Sequence, residues 1–236
     1  MHVKDIAKMI DHSLLHPTLT DAQLREGCEL AKQYNTASVC IKPYAVPLAK
    51  DILQGSDVKV GTVIGFPHGS SPEKIKVMET EWVCKAGAQE VDMVVNIGNV
   101  LSEKWEAVQH EIREILTVCR ENGALLKVIF ENGFLPEDRY KIKLCEICTA
   151  LEVDFVKTST GYAFVQTPDK TYTAKGATDH DLILMRSHCG PHVQVKAAGG
   201  IRTLDDVLRV KALGVTRVGA TATAAILEEA KKRFGN

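Results

Sequence analysis

The sequence predicts an α/β fold: a single (β/α)8 TIM barrel with a short N-terminal extension. Three observations predict it. Short apolar runs rich in β-branched residues alternate with longer segments of helical period, and the pair recurs eight times. No Pro/Ser-rich linker or shift in composition divides the 236 residues, so the chain reads as one domain over 1–236. The rival open, doubly wound sheet needs a G-x-G-x-x-G turn after its first strand, where this chain reads HSLLHPTLT.

The expected strands are 10–14, 37–41, 58–64, 90–95, 125–130, 153–157, 193–196 and 216–218. Between them the expected helices are 20–34, 43–53, 72–86, 102–120, 136–148, 177–188, 203–212 and 221–233. Thr20, Ser71, Ser102 and Thr203 stand where an N-cap hydroxyl would accept the orphan N–H groups of a helix start.

Composition narrows the function. With 45% hydrophobic, 25% charged and 6% aromatic residues, the chain is neither disordered nor fibrous. Twenty-nine Lys plus Arg against thirty Asp plus Glu leave a net charge of −1. No global basic field is available for nucleic acid or an anionic membrane, so any anion must meet a local site. No apolar run approaches the ~18 residues that cross a bilayer. Lys4, Asp5, Lys8 and Asp11 interrupt the place of a signal peptide, and the expected location is cytoplasmic. Seven Cys, an odd number scattered through periodic segments, read as reduced packing thiols without a structural disulfide.

In a barrel, strand residues alternate between interior and helix-facing sides, and chemistry sits at the C-terminal strand ends. Parity then becomes a test. Val91, Met93 and Val95 face the helices and leave Asp92 inward; Leu126, Val128 and Phe130 leave Lys127 inward. By the same rule Lys157 shares its face with Val153 and Phe155, and Lys196 lies opposite Val193 and Val195. Asp92, Lys127, Lys157 and Lys196 therefore converge. Unpaired charges are seldom buried, and lysines on three consecutive strands point to chemistry rather than packing. Lys157 and Lys196 on adjacent strands are expected to depress each other's pKa, leaving one a neutral amine able to attack a carbonyl. The bland alternative is that Lys127 or Lys196 reaches the rim or pairs with Asp92.

Two glycine segments, AAGGIRT at 197–203 and VGATAT at 218–223, follow the seventh and eighth strands, the recurring phosphate site of such barrels. Their candidate donors are the backbone of Gly199, Gly200, Gly219 and Ala220 and the Thr221 hydroxyl, with Arg202 adding charge. Asp11 is either a carboxylate behind the site or a buried hydrogen-bond anchor. Cys40 faces inward on the second strand, as packing or as pocket wall. Cys145-x-x-Cys148 reads as buried thiols one turn apart, and His188, Cys189 and His192 as structural. His12, His16 and His68 follow no metal-ligand spacing.

FVKTSTG at 155–161, VKAAGGIRT at 195–203, EVDMVVNIG at 90–98, LLKVIFENG at 125–133, IDHSLL at 10–15 and GFPHG at 65–69 together resemble the deoxyribose-phosphate aldolases, a class I aldolase family of nucleoside catabolism. The resemblance implies reversible cleavage of 2-deoxy-D-ribose 5-phosphate to D-glyceraldehyde 3-phosphate and acetaldehyde, with no metal or other cofactor. It implies Lys157 as the Schiff-base lysine, Lys196 as the lysine that keeps it nucleophilic and Asp92 as the proton-transfer carboxylate. Lys127 and Asp11 complete the network, Gly161 joins the phosphate donors, and the expected assembly is a homo-oligomer, a homodimer. Asp92→Asn is expected to slow proton transfer with little loss of stability. Tyr162 follows TSTG where some relatives carry a cation. The cation on the phosphate is then expected from Arg202, or from Lys170 or Lys175 in the longer 163–175 segment, taken as a mobile flap.

Overall fold

A computed structural model describes residues 2–166, 168–174 and 176–235. A short helix α1 (Val3–Ala7) forms the N-terminal extension and lies on the last helix of the chain. The barrel strands are β1 (Ile10–Leu14), β2 (Ser38–Ile41), β3 (Lys59–Ile64), β4 (Glu90–Val94), β5 (Leu125–Ile129), β6 (Phe155–Lys157), β9 (Gln194–Ala198) and β10 (Arg217–Ala220). All neighbours are parallel and the sheet closes in the order β1-β10-β9-β6-β5-β4-β3-β2. The crossover helices are α2 (Asp21–Gln33), α3 (Val46–Leu53), α4 (Glu73–Ala86), α6 (Trp105–Glu121), α7 (Asp138–Ala150), α8 (Asp179–His188), α9 (Leu204–Ala212) and α10 (Thr223–Phe234). The (β/α)8 reading of the sequence holds.

Alternation explains the core. Val91 and Met93 on β4 and Leu126 and Val128 on β5 are fully buried under the helices, while their neighbours Asp92 and Lys127 turn inward. On α6 the buried positions Val108, Ile112, Ile115, Leu116 and Cys119 recur at helical spacing, so the helix presents one stripe to the sheet. Each such aliphatic side chain contributes about 1.5–3 kcal/mol by leaving water.

Helix starts fit the sequence in part. Thr20 and Thr203 both form capping boxes, with Gln23 and Asp206. Ser71 does not cap α4: Pro72 takes the N-cap position, and its ring offers no acceptor. Ser102 ends a short extra helix α5 (Ile97–Leu101) instead of opening the next one. Glu103 then adopts a left-handed φ of 54°, which delays α6 to Trp105. β9 and β10 run beyond the expected ends because the small residues Ala198, Gly219 and Ala220 still find ladder partners, Gly219 opposite Ala198 and Ala220 opposite His12.

The segment expected as a flap is an antiparallel hairpin, β7 (Phe164–Gln166) paired with β8 (Tyr172–Ala174). Its outgoing end is pinned by a close backbone approach: a Cβ on Gly176 would lie 2.2 Å from the Gly199 carbonyl oxygen. The Ala177 N–H donates to that same oxygen at 3.1 Å. Only glycine fits there.

Candidate active site

Register brings the ionisable residues into one layer. Asp92 stands beside Lys127, Lys157 beside Lys196, and Lys196 beside Arg217. The Asp92 carboxylate lies at the centre: Lys157 Nζ donates to Oδ2 at 2.7 Å, Lys196 Nζ to the same oxygen at 2.8 Å, and Lys127 Nζ to Oδ1 at 2.9 Å. Lys196 also ion-pairs with Asp11 Oδ2 at 2.5 Å, and Lys127 with Glu90 Oε2 at 2.7 Å. Arg217 spans Asp11 and Glu90 beneath them. Among the described residues the cluster thus holds four cations, Lys127, Lys157, Lys196 and Arg217, against three carboxylates, Asp11, Glu90 and Asp92. Loss of one proton makes it neutral.

Burial alone would raise the pKa of Asp92, but Lys127, Lys157 and Lys196 outweigh it and hold the carboxylate well below its usual range. Asp11 is depressed the same way, with Lys196 as its strongest partner against burial. For Lys196 the structure reverses the depression expected from the sequence. Burial lowers its pKa, yet Asp11 and Asp92 raise it above the ordinary lysine value, because two carboxylates lie closer to it than the like charge. Lys127 is raised by Asp92, Glu90 and Asp11 against the same burial. Lys157 differs in kind: its ammonium touches one carboxylate oxygen, whereas each of the other cations contacts at least two carboxylates.

Above this layer a cavity of about 420 Å³ opens at the C-terminal strand ends. Lys157, Lys196, Asp11 and Cys40 reach its floor and wall; Asp92 and Lys127 lie behind them. Every residue expected at the phosphate site lines the same cavity: Gly161, Gly199, Gly200, Arg202, Gly219, Ala220 and Thr221. Gly199 and Gly200 have φ of 85° and 84°, a left-handed pair that favours glycine at this part of the cavity lining. Cys40 is both packing and wall, clustered with Leu15 and Val63 against Phe66 and Tyr162. Burial pushes its thiol up to about 11. Tyr162 meets the Phe66 ring edge-on at 5.6 Å, so it closes the apolar side. Phe164 of the hairpin also lines the cavity. Lys170 lies in the hairpin turn and does not line it, and Lys175 lies outside the described residues.

The sequence reading missed Glu90, Arg217 and Glu131. Glu90 could have been found by parity with Asp92, and Arg217 by parity with Gly219. Glu131 could not. It sits in a left-handed turn, φ 58°, and accepts the Thr160 N–H at 3.1 Å and the Thr160 hydroxyl, tethering the TSTG loop from the neighbouring strand end. Its carboxyl is raised by burial.

Other polar candidates are structural. His12 bonds Thr223 at 2.8 Å, and burial lowers its pKa to about 4. Cys145 and Cys148 are buried free thiols, as are the other five. Arg186 caps the turn after α8 through the carbonyls of Cys189, Gly190 and Val193. Asp138, His180 and Asp181 gather where α7 and α8 begin, and the Lys141 ammonium sits between the two aspartates at 2.8 and 2.7 Å. No helix of the described residues is long and apolar enough to cross a membrane.

With this geometry in place, comparison with known proteins gives one answer. The family model described as DeoC/LacD family aldolase matches residues 6–226. The chain is 52% identical over 231 residues to the deoxyribose-phosphate aldolase of Rhodopirellula baltica, covering 98% of this chain and 91% of that protein. It is 43% identical over 228 residues to the enzyme of the same name from Clostridium perfringens strain 13, covering 97% and 96%. Among solved structures, a tetrameric deoxyribose phosphate aldolase from Aeropyrum pernix superposes with a TM-score of 0.86 at 30% identity, covering 98% and 93%. A closed parallel barrel with inward lysines around one carboxylate, matched over nearly its whole length, places the chain in the DeoC/LacD family of aldolases.

Proposed function

We propose that this chain is a class I aldolase that reversibly cleaves 2-deoxy-D-ribose 5-phosphate to D-glyceraldehyde 3-phosphate and acetaldehyde. One observation carries the reading: two lysines that line a cavity share, through their ammonium groups, a single oxygen of a fully buried aspartate, and the same cavity is lined by the glycines that follow β9 and β10. Lys157 is the nucleophile, because it lines the cavity and has only one anionic partner to leave. As the free amine it adds to the open-chain C1 carbonyl of the sugar. Loss of water, with Asp92 moving the proton, leaves an iminium that draws electrons from the C2–C3 bond as the C3 hydroxyl gives up its proton. Glyceraldehyde 3-phosphate departs, and the enamine on Lys157 is protonated and hydrolysed to acetaldehyde. Lys196 stays charged and holds Asp92 in its anionic form; Lys127 and Asp11 fix the two carboxylate arms.

The phosphate is received by the backbone of Gly161, Gly199, Gly200, Gly219 and Ala220, with the Thr221 hydroxyl and the Arg202 guanidinium. Tyr162 adds a wall and no charge. No metal or cofactor has a part in these steps. The enzyme is read as one barrel domain over 1–236, acting in the cytoplasm as a homodimer, and its seven buried free thiols agree with a reducing compartment.

Reductive trapping tests this. Acetaldehyde with borohydride should leave one alkyl adduct, on Lys157, and activity should survive EDTA. An adduct mapped to Lys127 or Lys196 would overturn the assignment.

A further inference from the structure

The catalytic layer does not rest on apolar packing. Below it Arg217 and Glu90 form a bidentate ion pair, Nη2 to Oε1 at 2.7 Å and Nη1 to Oε2 at 3.1 Å, with Glu90 nearly fully buried. Neither residue lines the cavity. Yet each is bonded to a residue that touches the reacting groups: Arg217 to Asp11, the partner of Lys196, and Glu90 to Lys127, the partner of Asp92. The Phe155 ring lies under both cations, 5.5 Å from the Arg217 guanidinium and 5.9 Å from the Lys127 ammonium.

We infer that Glu90 and Arg217 are positioning residues which, by fixing the net charge of the lysine cluster, set the pH at which Lys157 forms its imine. The inference rests on Lys157 as the nucleophile. The charged groups facing the pair are Asp11 on β1 and Lys127 on β5, with Lys8 nearby ahead of β1; those facing Lys157 and its partners are Asp92 on β4, Lys196 on β9, Cys40 on β2 and Glu131 after β5, the last held by the TSTG loop. With four cations against three carboxylates, one proton must leave before the cluster is neutral. Removing Glu90's charge raises the excess to two, and the cluster then sheds protons more readily. Removing Arg217's charge abolishes the excess, so loss of a proton from Lys157 leaves the cluster net negative. Removing both restores an excess of one. A pair that merely plugged the base of the barrel would show no such signs, since residues at that end usually serve stability.

The test measures acetaldehyde trapping on Lys157 with cyanoborohydride as a function of pH, alongside kcat/KM. Glu90→Gln should move the half-maximal pH down by about one unit and Arg217→Met up by about one unit, as expected for one charge in a partly desolvated site. The double variant Glu90→Gln/Arg217→Met should return to within about 0.3 unit of the parent. The charge-keeping Glu90→Asp and Arg217→Lys should keep the parent midpoint even where they cost stability. Unmoved midpoints, shifts of the same sign, or a double variant that fails to revert would each overturn the inference. If Glu90→Gln does not fold, Arg217→Met decides alone: no upward shift means the pair is structural. Trapping of the parent enzyme at another lysine would instead sink the nucleophile assignment, so the two failures are told apart.

Discussion

Asp92→Asn is the most informative single change, because the structure predicts a stability cost that parity alone did not suggest. The carboxylate is fully buried and bonded to three ammonium groups at 2.7, 2.8 and 2.9 Å. An amide keeps the shape and loses the charge, so four cations face two carboxylates. Breaking a buried pair by removing one partner costs about 3–5 kcal/mol. At about 2–4 °C per kcal/mol for a domain of this size, the melting temperature should fall by roughly 6–20 °C at pH 7. The pH dependence has a definite sign. In the parent, Asp11, Glu90 and Asp92 titrate below their ordinary values, so their contribution is present above about pH 4 and is lost as pH falls through the depressed values. Lys127 and Lys196 titrate above theirs, so their contribution persists up to about pH 10 and is lost only as pH rises further.

In the variant the lysines have lost that partner and shed protons readily, so the difference in melting temperature should be larger at pH 6 than at pH 9.5. Differential scanning calorimetry of both proteins across that range measures it, with trapping and kcat/KM on the same preparations. Activity should fall at least ~100-fold, the low end for a proton-transfer group. A variant melting within 2 °C of the parent at pH 6 would refute the reasoning, since three buried ammonium groups would then have no need of Asp92.

Lys196→Met leaves three cations against three carboxylates, and the rising limb of the rate profile should move to higher pH; an unchanged profile would remove Lys196 from charge control. Arg202→Ala should raise KM for deoxyribose 5-phosphate by about 10- to 100-fold, matching ~1.5–3 kcal/mol for a hydrogen bond to a charged group, and leave plain deoxyribose unaffected. Lys76→Met should cost about 3–5 kcal/mol by stranding Glu111, 2.8 Å away and equally buried between α4 and α6, while pairing it with Glu111→Leu recovers most of that in urea melts. Thr20→Ala should remove about 1 kcal/mol with the capping box of α2, read from the same melts.

The lysines were legible because each interrupts an apolar strand. A charge between Leu126 and Val128, or between Val195 and Ala197, has to be explained by what lies inside the barrel. Glu90 and Arg217 escaped because they open their strands, where a charge ordinarily faces solvent at the rim; the tilt and register of a closed sheet carry those first residues under the cluster. The glycine segments were legible by position, yet Gly176 against the Gly199 carbonyl is a contact between distant loops that no local pattern announces. The hairpin at 164–174 was readable only as an insertion. Its strands are three residues long; β7 and β8 pair with each other, and β7 also packs on the turn at Asn132–Phe134. Ser71 and Ser102 failed as caps for a shared reason: a neighbouring Pro72 or left-handed Glu103 had already fixed where the chain could turn.

The division of labour inside the barrel follows from where charge can be compensated. Side chains that point into the barrel below the strand ends are surrounded by other strands and can be paired at 2.5–2.9 Å, which lets four cations and three carboxylates coexist in one buried cluster. At the strand ends the wall is glycine backbone, whose donors are neutral, fixed and insensitive to pH. An aldolase needs both kinds of surface. The nucleophile must change charge during the reaction, so it belongs in the cluster whose total is poised one proton from neutrality, on the one lysine with a single anionic partner. On the proposed function the phosphate takes no part in the bond changes, so donors that never titrate suit it. Arg202 is exposed and lines the same cavity but makes none of the cluster's ion pairs, so on the proposed function its permanent charge can serve the substrate anion without entering the count.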